Sequence, residues 1–414
     1  MTSPPSPAVR RAVADAHRRE WARVLAATVR VTRDLDLAEE CVQDAYEAAL
    51  GAWTRGGVPD RPGAWLTTAA RHNALDVLRR AAKLRSKQHL LVEPATEPDP
   101  PGDPVVRDDR LRLVFLCCHP ALAAEARIAL TLRLVCGVPT ADIAKALLVP
   151  VPTAAARITR AKKKIVAAGV PFRLPSAADL PDRLDAVLTV IHLLYTTGHT
   201  APAGPALTRD DIAVRALDLA RLLLDLMPDE REAKGLLALL LADHARRATR
   251  TAADGRLLPL EEQDRSAWDR KAIAEAHGLV VSALRGAGTP GRFALQAAIA
   301  LLHATAPAYA DTDWEQILVL YDELLRIWPS PVVALNRSVA VAMVHGPAAA
   351  LPEIEDLERD ERLAAYHYLP AVKADLLRRL GRTPQAAAAY ERAIALTANG
   401  AERAFLTRRL ADLA

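Results

Sequence analysis

The sequence predicts an all-helical chain, and three observations carry that expectation. Alanine, leucine and arginine dominate it and glycine sits at the breaks, a composition suited to helix interiors. Apolar stripes recur at helical spacing, as at Leu37, Cys41, Ala45 and Ala48 and again at Leu66, Ala70 and Ala74, where a strand would alternate. Between Gly137 and Ile165 a helix–break–helix pattern ends in a basic helix. With 414 residues, 51 % of them apolar, there is material for roughly two to four domains. No apolar run approaches a membrane span and no signal peptide opens the chain, so a cytoplasmic protein without a membrane partner is expected.

Met1 to Pro7 reads as a short disordered tail. A helix from about Asp36 to Trp53 follows, with its apolar stripe opposed by Glu40, Gln43, Asp44 and Glu47. On the residues alone that acidic stripe is either a solvated face or a dock for a basic protein surface. The next helix opens at Asp60-Arg61-Pro62, proline suiting a first turn. Leu66, Ala70, Ala74, Val77 and Ala81 form its expected buried face; Trp65, Ala69, His72, Asn73, Asp76, Arg79, Arg80 and Lys83 share the other. A tryptophan among basic and amide side chains can stack on a base while the charges hold phosphates, or it can pack under another helix. His89 to Asp108 holds five prolines, and residues 91–106 carry four acids and no base; such a segment is expected to be an extended linker.

Downstream, Thr140 is the expected N-cap of a short helix, Ala141 to Leu147, with Ile143, Ala144 and Leu147 at helical spacing. Leu148-Val149-Pro150-Val151-Pro152 breaks it, and a second helix is expected from about Thr153. There Thr153, Arg157, Arg160 and Lys164 share one face and Ala154, Ile158 and Ile165 an apolar one, with Lys162 and Lys163 at the flanks. A basic outer face over an apolar inner face is what a DNA recognition helix needs. The charge distribution agrees. Residues 1–90 carry fifteen basic and ten acidic side chains, 107–172 eleven and four, and 173–414 twenty-eight and thirty-two. Basic charge thus concentrates where a polyanion is expected.

Leucine-rich helices are expected over Leu180–Gly198, Asp210–Leu226 and Glu230–Arg247. Gly346 and Gly381 then lie 35 residues apart and Tyr321 and Tyr390 lie 69 apart. A period near 34 is that of tetratricopeptide (TPR) helix pairs, of which about three would fit residues 295–410; an alanine-rich bundle is the alternative. Catalytic signatures are lacking. Gly286 to Gly291 spells G-x-G-x-x-G without a βαβ setting and reads as a loop. His192, His199, His244 and His303 have no metal-type spacing, and Glu261, Glu262, Asp264 and Asp269 have no accompanying nucleophile. Gln263 to Asp269 reads as a loop-to-helix cap. The four cysteines, Cys41, Cys117, Cys118 and Cys136, form no C-x-x-C pair and are expected reduced and buried. No enzyme, metal or cofactor is expected.

Taken together, these features resemble a bacterial RNA polymerase sigma factor of the extracytoplasmic-function (ECF) type. Asp36 to Tyr46 (DLAEECVQDAY) is similar to the family's clamp-binding segment. Pro62-Gly63-Ala64-Trp65-Leu66 through Arg71, Asn73, Asp76, Arg79 and Arg80 is similar to its −10-reading helix, with His72 inserted in the usual Arg-Asn pair. Thr153, Arg157, Arg160 and Ala161 are similar to its −35-reading helix, although Ala154, Ala155 and Ala156 replace more usual side chains. The chain further resembles the subgroup with a large helical C-terminal extension, through Leu113 to Pro120, Pro259 to Asp269, Asp311 to Trp314, Pro331 to Arg337 and Tyr366 to Pro370. Where the subgroup shows N-E-G-Y, this chain has Thr196-Thr197-Gly198-His199.

The resemblance implies five segments: sigma region 2 over 9–88, an acidic linker over 89–108, a region 4 helix-turn-helix over 109–172, a helical extension over 176–290, and TPR-like repeats over 291–414. It implies polymerase binding by Asp36, Glu39, Glu40, Gln43 and Asp44. It implies promoter contact by Trp65, Asn73, Asp76, Arg79 and Arg80 at −10, and by Thr153, Arg157, Arg160, Lys163 and Lys164 at −35. The implied partners are core RNA polymerase, promoter DNA, and a small YCII-like (DGPF-motif) protein or peptide at the extension. A stand-alone helix-turn-helix regulator with a TPR-like sensor is the alternative function.

Overall fold

The computed structural model describes residues 6–88, 109–147, 149–170, 180–285 and 288–413. The expected linker, 89–108, lies outside these, as do Leu148 and the first two residues of the Gly286–Gly291 loop. Among the described residues there is no strand, only the isolated bridges Gly204–Asn399 and Thr251–Leu257. The helices fall into two compact units: Met1–Ile143 with Val151–Val190, and Ala144–Pro150 with Ile191–Ala414.

In the first unit α1 (Pro7–Thr32), α2 (Leu35–Gly56) and α3 (Pro62–Gln88) pack on one another in every pairing. Pro7 is therefore helical rather than part of a tail. Ser6 caps α1, its hydroxyl accepting from Val9 N at 3.2 Å, which lets proline take the first position where no N–H is needed. Asp34 caps α2, its carboxylate accepting from Asp36 N (2.8 Å) and Leu37 N (3.0 Å). Trp21, Val24, Leu25, Trp53, Leu66 and Ala70 fill the core between the three helices; full burial of one such large side chain is worth about 2–3 kcal/mol. Val77 does not join it. It is 40 % exposed, because the buried stripe of α3 drifts off its neighbours after Ala74.

The same unit holds α4 (Asp109–Cys117), α5 (Ala124–Leu134) and α7 (Val151–Ala167), while α6 (Thr140–Ala146) precedes α7 by a short turn. Two local expectations need correcting. Thr140 is the first helical residue, not the cap; the Pro139 carbonyl accepts from Asp142 N and Ile143 N, each at 3.0 Å. And α7 starts at Val151, with Pro152 in its first turn, where proline is tolerated. Leu113 to Cys118 are fully or almost fully buried, and all four cysteines are buried and outside any disulfide.

The second unit takes in the end of α8 (Leu180–His199), then α9 (Asp210–Leu226), α10 (Arg231–Ala245), α11 (Arg270–Leu284) and α12 (Arg292–Thr305). Helix α10 packs against α9, α11 and α12 and is buried nearly all round from Ala233 to Ala245, the pattern of a central helix. From α12 onward each helix packs on the next: α13 (Trp314–Ile327), α14 (Pro331–Val344), α15 (Pro347–Leu357), α16 (Tyr368–Arg379), α17 (Thr383–Leu396) and α18 (Gly400–Ala411). Gly346 and Gly381, the pair 35 residues apart, occupy equivalent turns before α15 and α17 with φ of 86° and 71°. That left-handed conformation is why glycine recurs there. Gln263 to Asp269 does act as a cap: Asp269 accepts from Lys271 N and Ala272 N at 3.1 Å, and the buried Trp268 donates to Thr249 Oγ1 at 2.8 Å.

Candidate functional site

Helix α2 presents two faces because its apolar stripe is used up in packing. Ala38, Cys41, Val42, Ala45, Tyr46 and Ala49 are buried, which turns Glu40, Gln43 and Asp44 outward as exposed side chains. Asp36 and Glu39 have a different setting. Lys162 of α7 donates from Nζ to Asp36 Oδ1 at 2.8 Å and to Glu39 Oε2 at 2.6 Å. Arg133 of α5 stands 3.9 Å from Glu39. The Glu39 and Lys162 side chains are only 13 % and 14 % exposed. Burial pulls the Lys162 ammonium down, but the hydrogen bonds to Asp36 and Glu39 outweigh it and leave the pKa raised.

Helix α3 places its expected DNA residues with mixed freedom. Asp76, Arg79 and Arg80 are exposed, with Arg79 3.6 Å from Asp76. Trp65 is half-buried, edge-on to Trp53 with ring centroids 5.8 Å apart. Asn73 is half-buried and donates from Nδ2 to the Cys41 carbonyl at 3.2 Å, so its amide ties α3 to α2. On α7, Ala154, Ile158, Ala161 and Ile165 are buried. Arg160, Lys163 and Lys164 are exposed, and Thr153 and Arg157 half-buried. The outward side of α7 is therefore a cluster of cations, which can neutralise phosphates.

Sequence reasoning placed Lys162 no nearer the centre than the flank. Its position next to the buried Ala161 turns it away from the other cations, yet only the fold could show acids waiting there. Near this contact, Trp21 donates from Nε1 to the Leu134 carbonyl at 3.0 Å. A cleft of about 250 Å³ opens between Trp21, Gln43, Tyr46 and Arg133.

The extension holds a second constellation that spacing did not reveal. His192 and His199 of α8 and His303 of α12 all lie within electrostatic reach of Asp243 on α10, and all are half-buried. Asp243 also pairs with Arg246 at 3.2 Å. Burial pushes His192 and His303 down to about 4 and, with the charge of Arg250, His199 down to about 3. Burial opposes the charge on Asp243, but Arg246 outweighs it with help from its other neighbours, and its pKa stays lowered. Tyr195 meets His199 through a 3.4 Å contact from its hydroxyl to Nδ1. In the altered Thr196–His199 segment, the surviving Gly198 has a packing role: a Cβ there would overlap the Ala213 backbone of α9. No group of three or more histidine, cysteine or acidic side chains among the described residues is arranged to hold a metal.

An acid-faced helix in a small helical unit with two outward basic helices defines a DNA-binding transcription protein, and comparison with known proteins specifies the kind. Residues 16–84 match sigma-70 region 2 and residues 112–165 match sigma-70 region 4. Residues 183–284 match a family of unknown function, DUF6596. An uncharacterized protein of Rhizobium meliloti (strain 1021), R00370, is 43 % identical over 398 residues, covering 95 % of this chain and 93 % of its own. The sigma-70 region 2 and region 4 domains followed by the DUF6596 domain fit an ECF-like sigma factor with a C-terminal extension. The chain's role is in transcription initiation, through binding to RNA polymerase and DNA. No described helix is long and apolar enough to cross a membrane.

Proposed function

We propose that this chain is an alternative sigma factor whose promoter choice is set by α3 and α7 and whose activity is controlled through its extension. The observation that carries the reading is the α2 face, where Glu40, Gln43 and Asp44 stand exposed over a fully packed apolar stripe. A face that is polar, acidic and open to solvent suits the basic clamp of core RNA polymerase, with Asp36 and Glu39 extending it. Asp76, Arg79 and Arg80, with Asn73 and Trp65 earlier on α3, engage the −10 element. Arg157, Arg160, Lys163 and Lys164 enter the −35 major groove with Thr153 at the helix start, fixing register through phosphates and reading base edges. The five segments 9–88, 89–108, 109–172, 176–290 and 291–414 then serve as region 2, linker, region 4, extension and TPR-like repeats. The protein works in the cytoplasm beside polymerase and performs no catalysis of its own. A small YCII-like protein or peptide is the partner proposed for the extension, on the subgroup resemblance.

Run-off transcription with core polymerase on genomic promoter fragments tests the reading. Protein-dependent, promoter-specific transcripts are expected, and Glu40→Lys with Asp44→Lys should abolish both transcript and core binding. If that double variant binds core as well as the unaltered protein, the clamp assignment is wrong. If the unaltered protein binds DNA but never core, the stand-alone regulator takes its place. Loss of residues 173–414 should change transcript level; an unchanged level from a stable 1–172 fragment removes control from the extension.

A further inference from the structure

We infer that the free protein holds itself in a closed state in which Lys162 of α7 occupies the acidic pair Asp36 and Glu39 of α2, so that core polymerase must displace region 4 from region 2 before it can bind. This rests on the clamp assignment for α2. Its geometric basis is independent of it. The ammonium sits 2.8 Å and 2.6 Å from the two carboxylates, and Arg133 approaches Glu39 from a second helix. The residues that meet are 123 and 126 positions apart in sequence, so no local helix geometry brings them together. The indole of Trp21 adds a buried hydrogen bond to the Leu134 carbonyl, 113 positions away.

The arrangement divides the acidic face in two. Glu40, Gln43 and Asp44 remain open for a first encounter, while Glu39 is shielded by Lys162. The exposed cations Arg160, Lys163 and Lys164 take no part, so closure shields Glu39, ties the still exposed Asp36 to Lys162, and leaves the DNA face bare. Opening exchanges one basic partner for another: Asp36 and Glu39 release Lys162 and take up the clamp. Because only the open fraction binds, apparent affinity falls by that fraction. Removing Lys162 leaves Glu39 shielded with a weaker counter-charge in the closed state, and hydrated in the open one, which shifts the balance towards opening.

Two measurements on the full-length protein test this. Carbodiimide, which joins an amine to a carboxylate only where the two touch, should couple Lys162 to Asp36 or Glu39 in the free chain, as read by peptide mass spectrometry. Saturating core polymerase should abolish the coupling. In a core-binding titration without DNA, Lys162→Ala should bind roughly tenfold tighter than the unaltered protein, and Lys162→Arg should stay close to it. Absence of the cross-link in the free chain, its persistence on core, or equal or weaker core binding by Lys162→Ala overturns the closed state. A cross-link that forms in a protein that binds core in no variant overturns the clamp assignment instead, and the competition with it.

Discussion

Asn399 offers a sharp test of what holds the extension together. It is 1 % exposed and spends its whole amide. Oδ1 accepts from Ala401 N at 3.0 Å and Glu402 N at 3.1 Å, capping α18, while Nδ2 donates to the carbonyls of Ala201 and Ala206, both at 2.9 Å. One side chain thus fastens the last helix to the segment after α8, 198 positions earlier. Gly400 N adds a 2.7 Å bond to the Gly204 carbonyl on the same seam. In Asn399→Ala the missing cap costs about 1 kcal/mol. The Ala201 carbonyl, buried and now unpaired, costs a further ~2 kcal/mol. Ala206 is exposed, so water replaces its partner at little cost. The total of about 3 kcal/mol corresponds to roughly a hundredfold loss of amide protection in α18. Asn399→Asp separates the two parts, since a carboxylate caps equally well but donates nothing, and should lose more than tenfold. Hydrogen-exchange mass spectrometry on the full chain reads both, with α1 to α3 as the internal reference. If Asn399→Asp protects α18 as well as asparagine does, the donated bonds contribute nothing and the reasoning fails.

Other expectations concern the DNA helices and the buried histidines. Alanine at Arg160, Lys163 or Lys164 should weaken promoter binding across sequences and flatten the slope of log K against log salt by about 0.9 for each phosphate no longer neutralised; an unchanged slope means that cation touches no phosphate. Asn73→Ala should lower stability by about 1 kcal/mol, because its amide bonds the Cys41 carbonyl. A thermal midpoint equal to that of the unaltered protein, with −10 melting abolished, would instead give Asn73 a direct reading role. Finally, His192, His199 and His303 titrate at about 4, 3 and 4 when folded, against an ordinary 6.5. Above pH 6.5 both states are neutral and stability is flat. As pH falls below 6.5 the unfolded chain takes up protons that the folded one refuses, so stability drops by up to about 1.4 kcal/mol per pH unit for each histidine. The lowered pKa of Asp243 acts only in the acid range below that; between pH 6.5 and about 4.5 His244, also lowered, adds to the fall, and Glu232, raised by burial, opposes part of it. Urea midpoints that hold steady across that window would contradict their burial.

What could be read from the chain and what could not divide along a physical line. Helices and their faces are local: the cation cluster of α7 and the cap at Asp269 follow from spacing and side-chain chemistry within a few residues, while the α2 stripe is only partly the expected one, since Cys41 and Ala45 are buried with Ala38, Val42, Tyr46 and Ala49, Leu37 is half-buried and Ala48 is exposed. The errors at this level are also local, and proline explains most of them. Pro7 and Pro152 look like breakers in a string of letters, yet each sits in a first turn where its missing N–H costs nothing. Meetings between distant residues carry no such signature. Nothing near Lys162 in sequence announces Asp36 and Glu39, and nothing in the spacing of His192, His199 and His303 announces Asp243. The two cases differ in what the buried charge is for. Around Asp243 the histidines are driven neutral and the one carboxylate is matched by arginine, an arrangement that fixes a core. At Lys162 the ammonium meets one shielded and one exposed carboxylate, Glu39 and Asp36, on the face proposed above to bind polymerase. A charge pair that can be exchanged for an equivalent pair on a partner costs little to break, whereas the Asp243–Arg246 pair faces the neighbouring helices of the extension and has no proposed partner to replace it. That asymmetry is why the α2–α7 contact, and not the histidine cluster, is the place in this molecule suited to open.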